Sequence, residues 1–262
     1  MQEQLALEPN TIHLWSCFCN EITDTSLLAN YIALLEEEEK TKHQRFYFEK
    51  SRHQYLITRA LVRSVLSLYA NIEPDQWRFI KNAYGRPEIS PLLPRQKPYS
   101  NLRFNLSHAD GLIICGVTTN HEIGVDVENL TRTNDVLGIA DRYFSSTEVT
   151  ELFSQPNTHQ RARFFDYWTL KESYIKAKGM GLSLPLDQFS FHVPQNTPIT
   201  ISFDPRLKDN PDHWRFWRYR PSNEHQIALA VESSSSSREM MSVQSYQIVP
   251  LQNWSKFSII EL

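Results

Sequence analysis

The sequence predicts an α+β protein, and three stretches carry that prediction. Residues 13–19 (His-Leu-Trp-Ser-Cys-Phe-Cys) read as a strand. Between Arg52 and Tyr69 the apolar residues Ile57, Leu61, Val65 and Leu68 recur at spacings of three and four, which makes a helix with one buried face. Residues 214–220 and 226–232 read as a hairpin joined by Pro221-Ser222-Asn223-Glu224. The chain mixes strands and helices without strict βαβ alternation.

The remaining elements follow in order. Leu27–Leu35 is a short amphipathic segment, and the acidic run Glu36–Glu39 after it reads as a solvated helix end. Pro74, Pro87, Pro91, Pro94 and Pro98 break residues 71–98 into loop with short strands. Phe104–Leu106 and Leu112–Thr118 read as strands separated by the turn-forming cluster Ser107-His108-Ala109-Asp110-Gly111. His121–Asn129 is another strand. Ser145–Phe153 and Phe164–Lys178 read as helices, the second stopped by Gly179 and Gly181. Ser233–Ser237 is a low-complexity stretch expected as a flexible loop before a strand-rich tail.

Composition narrows the function classes. The 262 residues are 40% hydrophobic, enough for one large domain or two small ones packed together. With a formal net charge of -3 no broad basic surface advertises nucleic acid, so a phosphate site is expected as a local cluster of cations. Cys17, Cys19 and Cys115 show no metal-ligand spacing and read as buried, reduced thiols suited to the cytoplasm. There is no signal-peptide pattern and no bilayer-length apolar run, so the expectation is a cytoplasmic protein without a membrane partner.

Three short segments carry chemistry. In Glu122–Glu128, alternation turns Ile123, Val125 and Val127 one way and Gly124, Asp126 and Glu128 the other. Two carboxylates two residues apart on a strand sit about 7 Å apart, close enough to share a hard cation, and Gly124 leaves room beside them. A half-exposed strand with an acidic outer face is the competing reading. On the helix Phe164–Lys178, Trp168, Glu172 and Lys176 fall at i, i+4 and i+8, so they share a face. By themselves they read rather as an ordinary surface Glu–Lys pair, and a facing carboxylate strand is what would change that. Asn105-Leu106-Ser107-His108 ends a strand where an anion could meet side chains and free N–H groups, and Tyr84-Gly85-Arg86-Pro87 puts an arginine in a rigid turn.

In order, Gly85-Arg86-Pro87, Phe104–His108, Gly124–Glu128, Arg142–Glu148, Trp168-x-x-Lys171-Glu172-x-x-x-Lys176 and Gly181–Leu186 resemble the 4'-phosphopantetheinyl transferases. The length resembles the bacterial surfactin-synthetase type, and the helix Arg45–Tyr69 extends the likeness upstream. The resemblance implies two similar α+β subdomains, 1–118 and 119–262, related by a pseudo-two-fold axis with the active site in the cleft. It implies transfer of the phosphopantetheine arm of coenzyme A to a serine of an apo acyl or peptidyl carrier protein, by a monomer requiring Mg2+. Asp126, Glu128 and Glu172 match its metal ligands, and Lys176 its lysine beside the pyrophosphate. Ser107 and His108 match residues on the nucleotide end. Arg86 stands where many members have lysine. Lys42 matches one of a basic pair whose other member falls near Glu39. Glu148 matches a carboxylate near the active site, and it also completes a Ser145-x-x-Glu148 capping box. Glu172 or Glu148 would take the serine proton. The carrier is expected to be acidic and to dock near residues 131–153, where Arg132 and Arg142 lie. The competing classes are a magnesium-dependent phosphohydrolase, a non-catalytic coenzyme A-binding homologue, and a nucleic-acid binder using the aromatic–basic run Trp214–Arg220.

Overall fold

A computed structural model describes residues 4–92, 101–195, 197–233 and 241–262. Along the chain run β1 (Thr11–Phe18), α1 (Thr25–Ala33), α2 (Glu37–Arg45), α3 (Glu49–Ser67), β2 (Phe79–Lys81), β3 (Pro87–Ile89), β4 (Leu102–Ala109) and β5 (Leu112–Thr119). Then come β6 (Ile123–Asn129), α4 (Ala140–Tyr143), α5 (Ser146–Ser154), α6 (Asn157–Lys178), β7 (Phe189–His192) and β8 (Thr200–Phe203). The chain finishes with β9 (Trp214–Arg220), β10 (His225–Glu232), β11 (Ser242–Val249), β12 (Asn253–Lys256) and β13 (Ile260–Glu261). The α+β class holds. Among the described residues no helix is long and apolar enough to cross a membrane.

The chain divides into two compact units: Met1–Lys81 with Pro87–Asn120 and Met240–Ser258, and Asn82–Arg86 with His121–Glu239 and Ile259–Leu262. The expected boundary at 118/119 lies beside the observed one at Asn120, but the tail corrects the expected ranges. β11 pairs in parallel with β1 (Thr11 opposite Ser242, Ser16 opposite Gln247), so residues 240–258 belong with the first unit. Only the paired partner, distant in sequence, reveals this.

In the first unit a sheet of order β12-β11-β1-β5-β4 carries β1 and β5 at its centre. Both strands are buried on both faces, and their sequences are accordingly near-continuous runs of apolar and small residues. α3 buries Leu56, Ile57, Ala60, Leu61, Val65 and Leu66 in a core with Trp15, Tyr31 and Trp77. Cys17, Cys19 and Cys115 are buried free thiols, as expected. Two expectations are corrected. Strand β4 runs through Ser107 and His108 to Ala109, and the turn is only Asp110-Gly111, with Gly111 at φ 87°. The acidic run is not solvated throughout: Glu36 and Glu39 form a capping box opening α2, and Glu39 is held by Arg59 and Arg63.

In the second unit the antiparallel sheet β13-β9-β10-β6 packs against α6. The expected hairpin is β9–β10, with Ile227 opposite Tyr219. That pairing puts Trp214 and Phe216 in the core with Phe164, Phe165, Tyr174 and Phe189. Helix α6 begins at Asn157 rather than Phe164, because its first turns are polar and show no apolar period. Gly179 ends it in the left-handed conformation at φ 65°, as expected. The low-complexity run lies, beyond Ser233, outside the described residues.

Candidate active site

Strand β6 and helix α6 build the site. Ile123, Val125 and Val127 are buried on one face of the strand. The other face lies under α6 rather than in water: Asp126 is buried, and the Glu128 side chain is only 15% exposed. What permits this is Gly124. A Cβ there would lie 2.0 Å from the Ser173 carbonyl oxygen and 2.4 Å from the Ala177 nitrogen, so the space beside the carboxylates is filled by helix backbone. The reading of β6 as a half-exposed acidic strand is thereby corrected.

Trp168, Glu172 and Lys176 share one face of α6, and that face addresses the strand carboxylates. The Trp168 indole donates to Glu128, Lys176 Nζ lies 2.7 Å from Asp126 Oδ1, and Glu172 is close enough to feel the Asp126 charge. Arg132 reaches Glu128 from the following loop at 2.9 Å, its guanidinium over the Phe165 ring. Burial pushes the Glu128 carboxyl up to about 7, with Asp126 adding to the rise and Arg132, Trp168 and Lys176 opposing it. Burial and Asp126 likewise push Glu172 up to about 7, against Lys176 alone. Three carboxylates therefore crowd one desolvated spot and are kept there by two cations. Among the described residues, however, no three His, Cys, Asp or Glu side chains already gather at metal-binding spacing. Asp126 and Glu128 are turned to Lys176 and Arg132 instead.

Glu148 stands apart from this group. It is fully buried, it closes the capping box with Ser145, it accepts from the Phe191 N–H at 2.8 Å, and it pairs with Lys171 Nζ at 2.7 Å. Lys171 is itself fully buried and donates to the Leu186 and Phe189 carbonyls. Sequence reasoning assigned Lys171 no role, although a lysine one step round the helix from Glu172 must point away from β6 and into the core. Arg86 donates to the Ala177 carbonyl at 2.9 Å and pairs with Glu122 at 2.6 Å, capping the C-terminus of α6. The remaining candidates belong to the other unit: Ser107 is buried in β4, His108 is exposed beside it, and Lys42 is exposed on α2 with its ammonium over the Tyr55 ring. Of the two expected docking cations, Arg132 is committed to Glu128, whereas Arg142 is exposed over Tyr143.

A buried strand with two carboxylates, locked under a helix that supplies a third and a lysine, is a class of acidic site with the donors a hard cation takes. Comparison with known proteins gives that class a family. Residues 122–230 match the family model described as the 4'-phosphopantetheinyl transferase superfamily, and residues 23–119 match the one described as 4'-phosphopantetheinyl transferase, N-terminal. The 4'-phosphopantetheinyl transferase HetI of Nostoc sp. is 33% identical over 77% of this chain and 82% of its own length. The corresponding figures for 4'-phosphopantetheinyl transferase Sfp of Bacillus subtilis are 36%, 65% and 72%. A putative 4'-phosphopantetheinyl transferase of Synechocystis is 30% identical over 77% of each chain. The chain belongs to the 4'-phosphopantetheinyl transferase superfamily, in its surfactin-synthetase branch. Its activity is 4'-phosphopantetheinyl transfer.

Proposed function

We propose that this chain moves the phosphopantetheine arm of coenzyme A onto a carrier-protein serine at the β6–α6 site. The single observation that carries the assignment is the convergence of Asp126, Glu128, Glu172 and Lys176 on one desolvated spot. The donor set suits Mg2+: three hard carboxylates, buried together, with no histidine or thiol among them to favour a softer metal. Asp126, Glu128 and Glu172 would hold the ion, which when bound supplies positive charge to the pyrophosphate oxygens.

The serine hydroxyl attacks the β-phosphorus, the bond to the oxygen shared with the α-phosphate breaks, and adenosine 3',5'-bisphosphate leaves. Glu172 takes the serine proton: among the described residues it is the site carboxylate that no side-chain cation contacts directly, Lys176 and Arg132 being paired with Asp126 and Glu128. Lys176, turning from Asp126 to the pyrophosphate, offsets the charge that grows on the leaving oxygen. Glu148 has no part in this step, because Lys171 and the α5 cap already claim its carboxylate. Arg86 acts from the end of α6. The parts of Lys42, Ser107 and His108 on the nucleotide end are proposed from the family motifs alone, as are the pseudo-two-fold relation, the monomeric state and the cytoplasmic location. The acidic carrier docks through Arg142 and its neighbours in 131–153.

Intact mass spectrometry of an apo carrier protein with coenzyme A and Mg2+ tests this reading. The expected result is a gain of one phosphopantetheine group, abolished by EDTA and by Asp126→Ala with unchanged circular dichroism. Wild-type transfer by D126A would sink the metal assignment. Release of phosphate without a carrier protein would move the chemistry to a phosphohydrolase.

A further inference from the structure

Helix α2 buries none of its nine residues. A free helix of that length is marginal in water, so α2 must be held by something other than an apolar face. Its N-terminus shows what does this. Glu36 and Glu39 close a capping box on each other's backbone, and both carboxylates then reach the guanidinium of Arg63 on α3, at 3.4 and 2.7 Å. Arg59, one turn away on α3, also pairs with Glu39. The two guanidinium groups lie over the Phe79 ring, 4.9 and 5.2 Å from its centre. Arg63 is fully buried, although arginine is rarely buried without a purpose. Burial draws its pKa down, and the Glu39 charge is the main opposing influence.

We propose that the Glu39–Arg59–Arg63 clamp is a positioning device for coenzyme A: it pins the start of α2 so that the helix presents Lys42. This rests on the reading of Lys42 as a contact to the nucleotide end. The geometry also explains a departure in the sequence. The family's basic pair has its second member near position 39, yet this chain has glutamate there, and the structure turns that glutamate inward onto α3 rather than outward to ligand. What the chain gives up in cationic charge it recovers as order: a cation held on a fixed helix loses less freedom on binding than one on a frayed segment. Lys42 is steadied in turn by the Tyr55 ring of α3, 5.1 Å from its ammonium, and Phe46 packs on the same ring.

The test compares Glu39→Gln, Thr41→Pro, Lys42→Ala and the double variant E39Q/K42A. Thr41 is an exposed α2 residue, so proline there breaks the helix without touching Arg63. Lys42→Ala is expected to raise the KM for coenzyme A roughly tenfold, the loss of one charge-assisted contact. E39Q and T41P are expected to raise it about three- to tenfold at unchanged kcat, and to speed tryptic cleavage at Lys40 and Lys42. The double variant is expected to bind no worse than K42A, because the clamp acts through the lysine. Should E39Q fail to fold, T41P carries the same comparison. E39Q and T41P at the wild-type KM, with K42A raised, would overturn the clamp and leave the Lys42 reading standing. A double variant worse by the product of the single effects would also overturn the clamp. All variants at the wild-type KM would overturn both.

Discussion

Gly124→Ala is the most demanding test of how the site is built. The added methyl would sit 2.0 Å from the Ser173 carbonyl oxygen, 2.4 Å from the Ala177 nitrogen and 3.0 Å from its Cα. All three are backbone atoms in the last turns of α6, so no side chain can swing aside. To restore van der Waals separation the helix must withdraw by about 1 Å or more. Overpacking of this kind costs about 1–3 kcal/mol, and a rigid backbone obstacle places the cost at the upper end. The same withdrawal draws Lys176 from Asp126, now at 2.7 Å, and shifts Glu172 with it. A misplacement of about 1 Å at reacting groups can lower the rate roughly a hundredfold. The assay pairs urea unfolding with initial rates of carrier modification on soluble protein. Gly138→Ala is the control, since its Cβ would meet only the movable Asp135 carboxylate. If G124A keeps both the wild-type midpoint and the wild-type rate, close helix–strand contact is not what organises these carboxylates.

Glu172→Gln tests the electrostatic cost of the same site. A carboxyl raised from 4.5 to about 7 on folding binds its proton more tightly in the folded chain. The penalty is therefore full above pH 7 and fades as pH falls toward 4.5. In EDTA, E172Q should exceed wild-type stability by about 1–3 kcal/mol more at pH 8 than at pH 5, while losing transfer. An identical stability difference at both pH values contradicts the burial argument. Tyr69→Phe strips the partner from two buried groups at once, since the Tyr69 hydroxyl accepts from Trp15 Nε1 and is hydrogen-bonded to His13 Nδ1, each at 2.8 Å. A loss of about 2 kcal/mol or more in urea unfolding is expected, and a neutral result would deny the bonding of that cluster. Lys171→Met alone leaves Glu148 buried without its cation and should cost about 3–5 kcal/mol. E148Q/K171M should regain much of that loss and still transfer. A folded double variant without activity would return Glu148 to the catalytic group.

Much of this site was legible because its two periodicities are short. Asp126 and Glu128 are two apart on a strand, Trp168, Glu172 and Lys176 four apart on a helix, and each set lines one face whatever the rest of the chain does. The meeting of those faces was not legible from periodicity. It depends on Gly124, whose missing side chain marks a close approach without saying what approaches. Nor did local pattern show that β11 returns to pair with β1, or that α6 starts seven residues before its first apolar turn. Glu39 illustrates the same limit. In sequence it belongs to an acidic run, and only the fully buried guanidinium of Arg63, 24 positions later, makes it an anchor. The capping box of Glu148 was readable from Ser145, but Lys171, which decides that Glu148 faces inward, lies on a different helix.

The three carboxylates are not equivalent, and their differences fit a division of labour. Asp126 has Lys176 directly upon it, and Glu128 has Arg132 together with the Trp168 indole. Glu172 is opposed by Lys176 alone, which is already engaged with Asp126, yet its pKa is raised as far as that of Glu128. The two glutamates thus reach the same value by different balances, Glu128 with three groups opposing the rise and Glu172 with one. In a metal ligand that rise is a cost, removed once a divalent cation arrives. A cation bound there would also draw the Glu172 carboxyl down, so the raised value belongs to the metal-free site. The burial that destabilises this corner of the metal-free fold is relieved by Glu172→Gln, which on the proposed reading gains stability by giving up the chemistry.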